Sequence, residues 1–172
     1  YALGEIDFPF WSRIWPAAYA LSDWILEMPE LVKDLHVVEI GAGLGLPSFV
    51  ASAFAKTIIA TDHQQYAVDL INMNIHQNHI QSLSAKKWDW KSDPLIEADV
   101  YLLSDLNYEP KSLNKLEKRI MEMIDSGAKI CLSTPQRLTA VRFVEFLQPI
   151  ILSEHIRTIQ EANLSLYYLG EK

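Results

Sequence analysis

The stretch Val37-Val38-Glu39-Ile40-Gly41-Ala42-Gly43-Leu44-Gly45-Leu46-Pro47 decides how the rest of the chain is read. His36–Ile40 is a short apolar run ending at a glycine, a buried strand by length and β-branched content. Three glycines follow and open a helix over residues 47–54. Glycine permits a tight turn and lets a ligand lie against bare backbone, and a helix start adds free N–H groups and a positive dipole end. The spacing is G-x-G-x-G. A dinucleotide fingerprint needs G-x-G-x-x-G, and its third glycine position is Leu46 here. Glu39, two residues before the first glycine, would repel a pyrophosphate and suits a cationic ligand. A plain strand-to-helix turn explains the glycines equally well on this motif alone.

Moving outward, a second strand over residues 57–61 ends at Asp62, which lies 21 residues after Gly41. An acid near that spacing is the expected partner of two ribose hydroxyls, although Asp also caps helices. Turn and acid together point to an adenosine ligand and leave a nicotinamide cofactor and S-adenosylmethionine both open. Further elements alternate. Helices are expected over residues 16–26, 65–78, 111–125 and 138–147, and strands over 84–88, 99–103 and 129–133. The helix over 111–125 puts Leu113, Leu116, Ile120, Met123 and Ile124 on one face, and Gly127 stops it. Such alternation with apolar strands means a parallel sheet covered on both faces. Two extended segments, 151–159 and 164–169, close the chain without a helix between them, so they must pair antiparallel. Ligands of such sheets sit at the carboxyl ends of the strands.

Composition bounds the class. The chain has 172 residues, 49% hydrophobic and 22% charged, which suits one domain over residues 1–172: an N-terminal cap segment and helix to residue 35, then a doubly wound α/β core. The net charge of −7 argues against a general nucleic-acid binder, and Lys86 and Lys87 are too few for a basic patch. No apolar run approaches the roughly 18 residues of a membrane span. Cys131 is the only cysteine, so no internal disulfide forms and a reducing compartment, the cytoplasm, is expected. The chain opens on Tyr1 and not on Met, so whether a segment precedes it stays open. The five histidines lack zinc spacing, and no metal is expected.

Glu-x-Gly-x-Gly-x-Gly after the first strand with Asp after the second resembles the class I S-adenosylmethionine-dependent methyltransferases. Two features narrow the resemblance: Asp105-Leu106-Asn107-Tyr108, an Asp-x-x-Tyr after the fourth strand, and Phe8-Pro9-Phe10-Trp11…Trp15-Pro16 before the first helix. Together they resemble the seven-β-strand protein-lysine methyltransferases of methyltransferase family 16 and their bacterial relatives. The resemblance implies a Rossmann-like seven-stranded sheet in order 3-2-1-4-5-7-6 with strand seven antiparallel. It implies that Glu39, Gly41 and Gly43 line the methionine half of S-adenosylmethionine, Asp62 binds the ribose, Trp90 contacts the adenine, Ser104 lies beside the cofactor and Trp15 closes over it. Asp105 and Tyr108 match the catalytic pair at the acceptor amine. Trp88 reads as the end of a strand and is the weaker adenine partner.

The chemistry is consistent with those roles. A sulfonium is drawn to carboxylates and aromatic faces, and an amine nucleophile loses its proton more readily in an aromatic, partly dry pocket. The expected function is N-methylation of a protein lysine. A small-molecule amine acceptor and a non-catalytic module keeping the cofactor fold are the alternatives; a nicotinamide oxidoreductase fails on glycine spacing. Asn107 stands where relatives often carry an apolar residue, which leaves the acceptor open, as is the oligomeric state. Thr134-Pro135-Gln136-Arg137 is expected at the same sheet edge.

Overall fold

The computed structural model describes residues 9–106, 110–136 and 141–171. Seven strands form one sheet: β1 (His36–Ile40), β2 (Thr57–Asp62), β3 (Leu83–Lys87), β4 (Val100–Ser104), β5 (Lys129–Pro135), β6 (Ile151–Ile159) and β7 (Ala162–Leu169). Their order is β3-β2-β1-β4-β5-β7-β6. The first five pair in parallel, and β7 lies antiparallel between β5 and β6. Both the order and the reversed strand agree with the sequence expectation. Five helices accompany them among the described residues: α1 (Pro16–Glu27), α2 (Leu46–Ala51), α3 (Gln65–Gln77), α4 (Leu113–Asp125) and α5 (Val141–Leu147).

Strand alternation sorts side chains onto the two faces. Val37, Ile58, Val100 and Leu102 join α1, α2 and α3 in one core, where Leu21, Trp24 and Ile25 are fully buried. Val38, Ile40, Tyr101 and Leu103 join α4 and α5 in the other, around Leu116, Ile120 and Phe143. Cys131 is fully buried, and burial pushes its thiol up to about 12, so it behaves as a small hydrophobe. No helix among the described residues is long and apolar enough to cross a membrane.

Element ends differ from the sequence reading in instructive places. The helix expected over 111–125 opens with a 3-10 turn at Pro110–Ser112 before α4 begins. The one expected over 138–147 is seen as α5, while residues 138–140 lie outside the described residues. β7 starts two residues early, at Ala162. Gln160 and Glu161, with φ of 49° and 66°, make a two-residue hairpin turn between Ile159 and Ala162. That geometry favours Asn-Gly or Asp-Gly, neither of which is present to announce it.

α4 ends as its sequence suggests. Gly127 has φ 88°, its N–H donates to the Ile124 carbonyl, and Ala128 N–H donates to that of Met123. A Cβ at Gly127 would meet nothing within 4 Å, so Gly127→Ala carries only the cost of the left-handed backbone. A loss of about 1 kcal/mol is expected in urea denaturation, and Gly127→Asn should lose less.

Candidate functional site

The carboxyl ends of β1, β2 and β4 open into a cavity of about 500 Å³. Its floor is the glycine turn, where Gly41, Gly43 and Gly45 have φ of 64°, 56° and 75°. A Cβ on Gly41 would stand 2.5 Å from Leu106 Cδ2, and one on Gly43 would stand 3.0 Å from the Trp11 carbonyl oxygen. The turn is therefore glycine for conformation and for room. Substitution at Gly43 meets this backbone neighbour as well as any ligand.

Two acids brace the turn from different sides. Glu39 is fully buried beneath it, and its Oε2 accepts from Ser48 N–H at 3.0 Å and Ser48 Oγ–H at 2.5 Å. Oε1 has no hydrogen-bond partner among the described residues. Burial pushes the carboxyl up to about 8, against the two Ser48 bonds, and nearby Asp62 adds to the rise. Asp62, at the end of β2, borders the cavity. Its Oδ2 accepts from Gly43 N–H at 2.9 Å and its Oδ1 from Gln64 N–H at 2.8 Å. A carboxylate oxygen has lone pairs to spare, so these bonds leave acceptor capacity for a ligand hydroxyl.

A strap made of residues 9–15 forms the facing wall. Trp15 Nε1–H donates to the Phe10 carbonyl at 2.9 Å, and the Trp11 ring stacks on Tyr66 of α3 with centroids 6.4 Å apart. On the far side Trp90 borders the cavity. Arg119 of α4 fixes its loop: Nε–H donates to the Trp90 carbonyl at 2.9 Å and a second N–H to that of Asp93 at 2.8 Å. Ser104 and Asp105 complete the wall where β4 ends. Asp105 holds φ 52°, and its N–H donates to the Ser133 carbonyl across β4 and β5.

Of the residues singled out in the sequence, Trp15, Gly41, Gly43, Asp62, Trp90, Ser104 and Asp105 all border this one cavity. Glu39 does not; it sits under the turn. Trp88 packs into the core, with its Nε1–H on the Pro94 carbonyl. Tyr108 and Asn107 lie outside the described residues. Sequence reasoning missed Ser48, whose only signal was a hydroxyl at the start of an apolar helix. It also missed Arg119, which nothing in the helix pattern distinguishes from an exposed charge.

A family profile described as lysine methyltransferase matches residues 10–150. The chain belongs to that family. It is 28% identical over 137 residues, 70% of its length and 46% of the relative's, to a protein N-terminal and lysine N-methyltransferase of Cryptococcus neoformans. It is 25% identical over 167 residues, 92% of its length and 66% of the relative's, to the electron transfer flavoprotein beta subunit lysine methyltransferase of Xenopus laevis. The chain thus spans about half of the fungal relative and about two thirds of the frog one. Its fold superimposes on the N-methyltransferase NodS of Bradyrhizobium japonicum with TM-score 0.74 at 13% identity, covering 96% of this chain and 92% of that one. This is the class I fold of S-adenosylmethionine-dependent methyltransferases.

The residues fit that cofactor. The glycine turn leaves bare backbone, Asp62, Asp89 and Asp105 border the cavity as acids, and Trp15 and Trp90 are aromatic residues of its lining. A sulfonium nucleoside suits all three features.

Two outcomes follow from the braces. Glu39 has an unfolded pKa near 4.5 and a folded one near 8, so the folded state holds the extra proton between them. Its contribution is complete below pH 4.5, declines as pH climbs through 8 and is flat above, by up to about 1.4 kcal/mol per pH unit. The stability difference between wild type and Glu39→Gln should shrink over that window in urea titrations run from pH 5 to 9; parallel profiles would contradict the assignment. Asp62→Asn leaves one of two backbone N–H groups facing an amide NH2. A lower urea midpoint, worth about 1–3 kcal/mol, is expected.

Proposed function

We propose that this chain methylates the side-chain amine of a protein lysine with S-adenosylmethionine, through a site held within one domain. The observation that carries the reading is the convergence of Trp15, the glycine turn, Asp62, Trp90, Ser104 and Asp105 on one cavity of about 500 Å³ in a chain of the lysine methyltransferase family. Asp62 would accept from the ribose hydroxyls, Trp90 would face the adenine, and Gly41 and Gly43 would admit the amino-acid half against backbone. Glu39 acts from beneath, holding Ser48 and hence the start of α2. The bound cofactor supplies an electrophilic methyl group on a positive sulfur, so the protein need only position the acceptor and keep water out.

Asp105 is the acceptor-facing group in this reading. The acceptor ammonium loses its proton to solvent on entering, and the Asp105 carboxylate accepts a hydrogen bond from the neutral amine so that the nitrogen lone pair is turned toward the methyl group. The aromatic strap favours the neutral amine that attacks, since desolvation disfavours the charged form. Tyr108 belongs to the same Asp-x-x-Tyr motif and is proposed as its partner at the amine. A cytoplasmic location is part of the proposal and rests on the single buried thiol.

Mass spectrometry of a cell lysate incubated with the protein and methyl-deuterated cofactor should find label on lysines of a protein; label confined to small amines would replace the protein acceptor. On the acceptor so found, Asp105→Asn should lower methyl transfer at least 100-fold, the scale of a mispositioned reactant, while S-adenosylhomocysteine affinity stays within about threefold. Asparagine tolerates the left-handed backbone at this position, so the variant tests charge and not folding. Unchanged activity would remove Asp105 from the mechanism.

A further inference from the structure

The cavity wall is uneven in charge. Asp62, Asp89 and Asp105 suit a sulfonium and an α-ammonium, but the same ligand also carries an α-carboxylate, for which these acids have the wrong sign. Among the described residues three basic side chains border the cavity: Arg13, His63 and Lys91. His63 Nδ1 lies 3.4 Å from Asp62 Oδ1, and Lys91 Nζ stands 5.4 Å from the centre of the Trp90 ring. Both follow β2 or β3, on the side where Asp62 and Trp90 take the adenosine half. Arg13 is on the other side. It belongs to the strap, which runs into α1, and α1 packs on β4 and β5. Its guanidinium carbon lies 4.8 Å from the centre of the Trp15 ring, and among the described residues it makes no hydrogen bond or ion pair. A guanidinium resting on an indole keeps its N–H edge available for a planar carboxylate.

We propose that Arg13 is a positioning residue that clamps the α-carboxylate of the cofactor, with Trp15 as the platform that holds its guanidinium. The inference rests on the cofactor reading above. It makes the strap a ligand-dependent wall: Trp11 seats it over Gly43, Trp15 ties it to Phe10, and Arg13 bonds it to the ligand's amino-acid end. The carboxylate also draws the methionine chain toward β4, where Ser104 and Asp105 stand.

Calorimetric titration with two ligands tests this: S-adenosylhomocysteine, and its decarboxylated form, which keeps the amine and lacks the carboxylate. Wild type should bind the first more tightly. Arg13→Ala should weaken S-adenosylhomocysteine about tenfold, the scale of a hydrogen bond to a charged group, and leave the decarboxylated ligand within twofold. Arg13→Lys should recover part of the loss. Equal losses for both ligands, or no loss for either, would overturn the clamp. A wild-type protein that binds neither ligand would overturn the cofactor reading, and the clamp with it. Binding of the decarboxylated ligand by Arg13→Ala reports that the variant is folded.

Discussion

A carboxyl group with no access to water, Glu39, takes both the N–H and the hydroxyl of Ser48 on one oxygen. That pair ties the end of β1 to the start of α2 across the glycine turn. Without it the three left-handed glycines would cost conformational entropy with little to hold them. Asp62 does the same work from the neighbouring strand by accepting from Gly43 and Gln64. The cavity floor is therefore a glycine loop pinned by two acids at the ends of two adjacent parallel strands, and its shape depends on their register.

The acids at the wall set the site's electrostatic character. Asp62 and Asp89 border the cavity and are poor neighbours for phosphate and good ones for a cation, while Glu39, pushed up to about 8 by burial, keeps its proton near neutral pH and serves as a brace. This explains why a glycine-rich turn after a first strand does not make a dinucleotide site here. Leu46 occupies the third glycine position, and an antiparallel β7 is inserted between β5 and the edge strand β6. Chemistry and topology exclude the nicotinamide reading for independent reasons.

The sheet is shared with enzymes of low sequence identity, such as NodS at 13%. Around that sheet the cavity's rim is built by the aromatic strap before α1, the loop carrying Trp90 and the residues that end β4. These are the segments that a common sheet leaves free to vary.

Much of this was legible before the structure. The glycine turn, the acid 21 residues on and the alternation of strands with helices are local patterns. Each reports a backbone requirement or a buried face that its own residues must satisfy, and these led to the mostly parallel sheet with its antiparallel closing pair, to the glycine turn and to Asp62; the full strand order and the places of Trp15, Trp90, Ser104 and Asp105 were implied by the family resemblance. The tertiary structure decided what depends on distant neighbours. Glu39 reads as a cofactor ligand in sequence, and only the packing of α2 reveals that Ser48 takes its Oε2. Trp88 and Trp90 are two residues apart and equally aromatic; both pack into the core, only Trp90 also borders the cavity, and Arg119, on a helix far along the chain, fastens their loop at the Trp90 and Asp93 carbonyls. The hairpin turn at Gln160 and Glu161 carries no favourable residue and is imposed by the pairing of β6 with β7. Hydrogen bonds between remote segments leave no periodic trace in a sequence, and for that reason the fold could be read from it more fully than the site could.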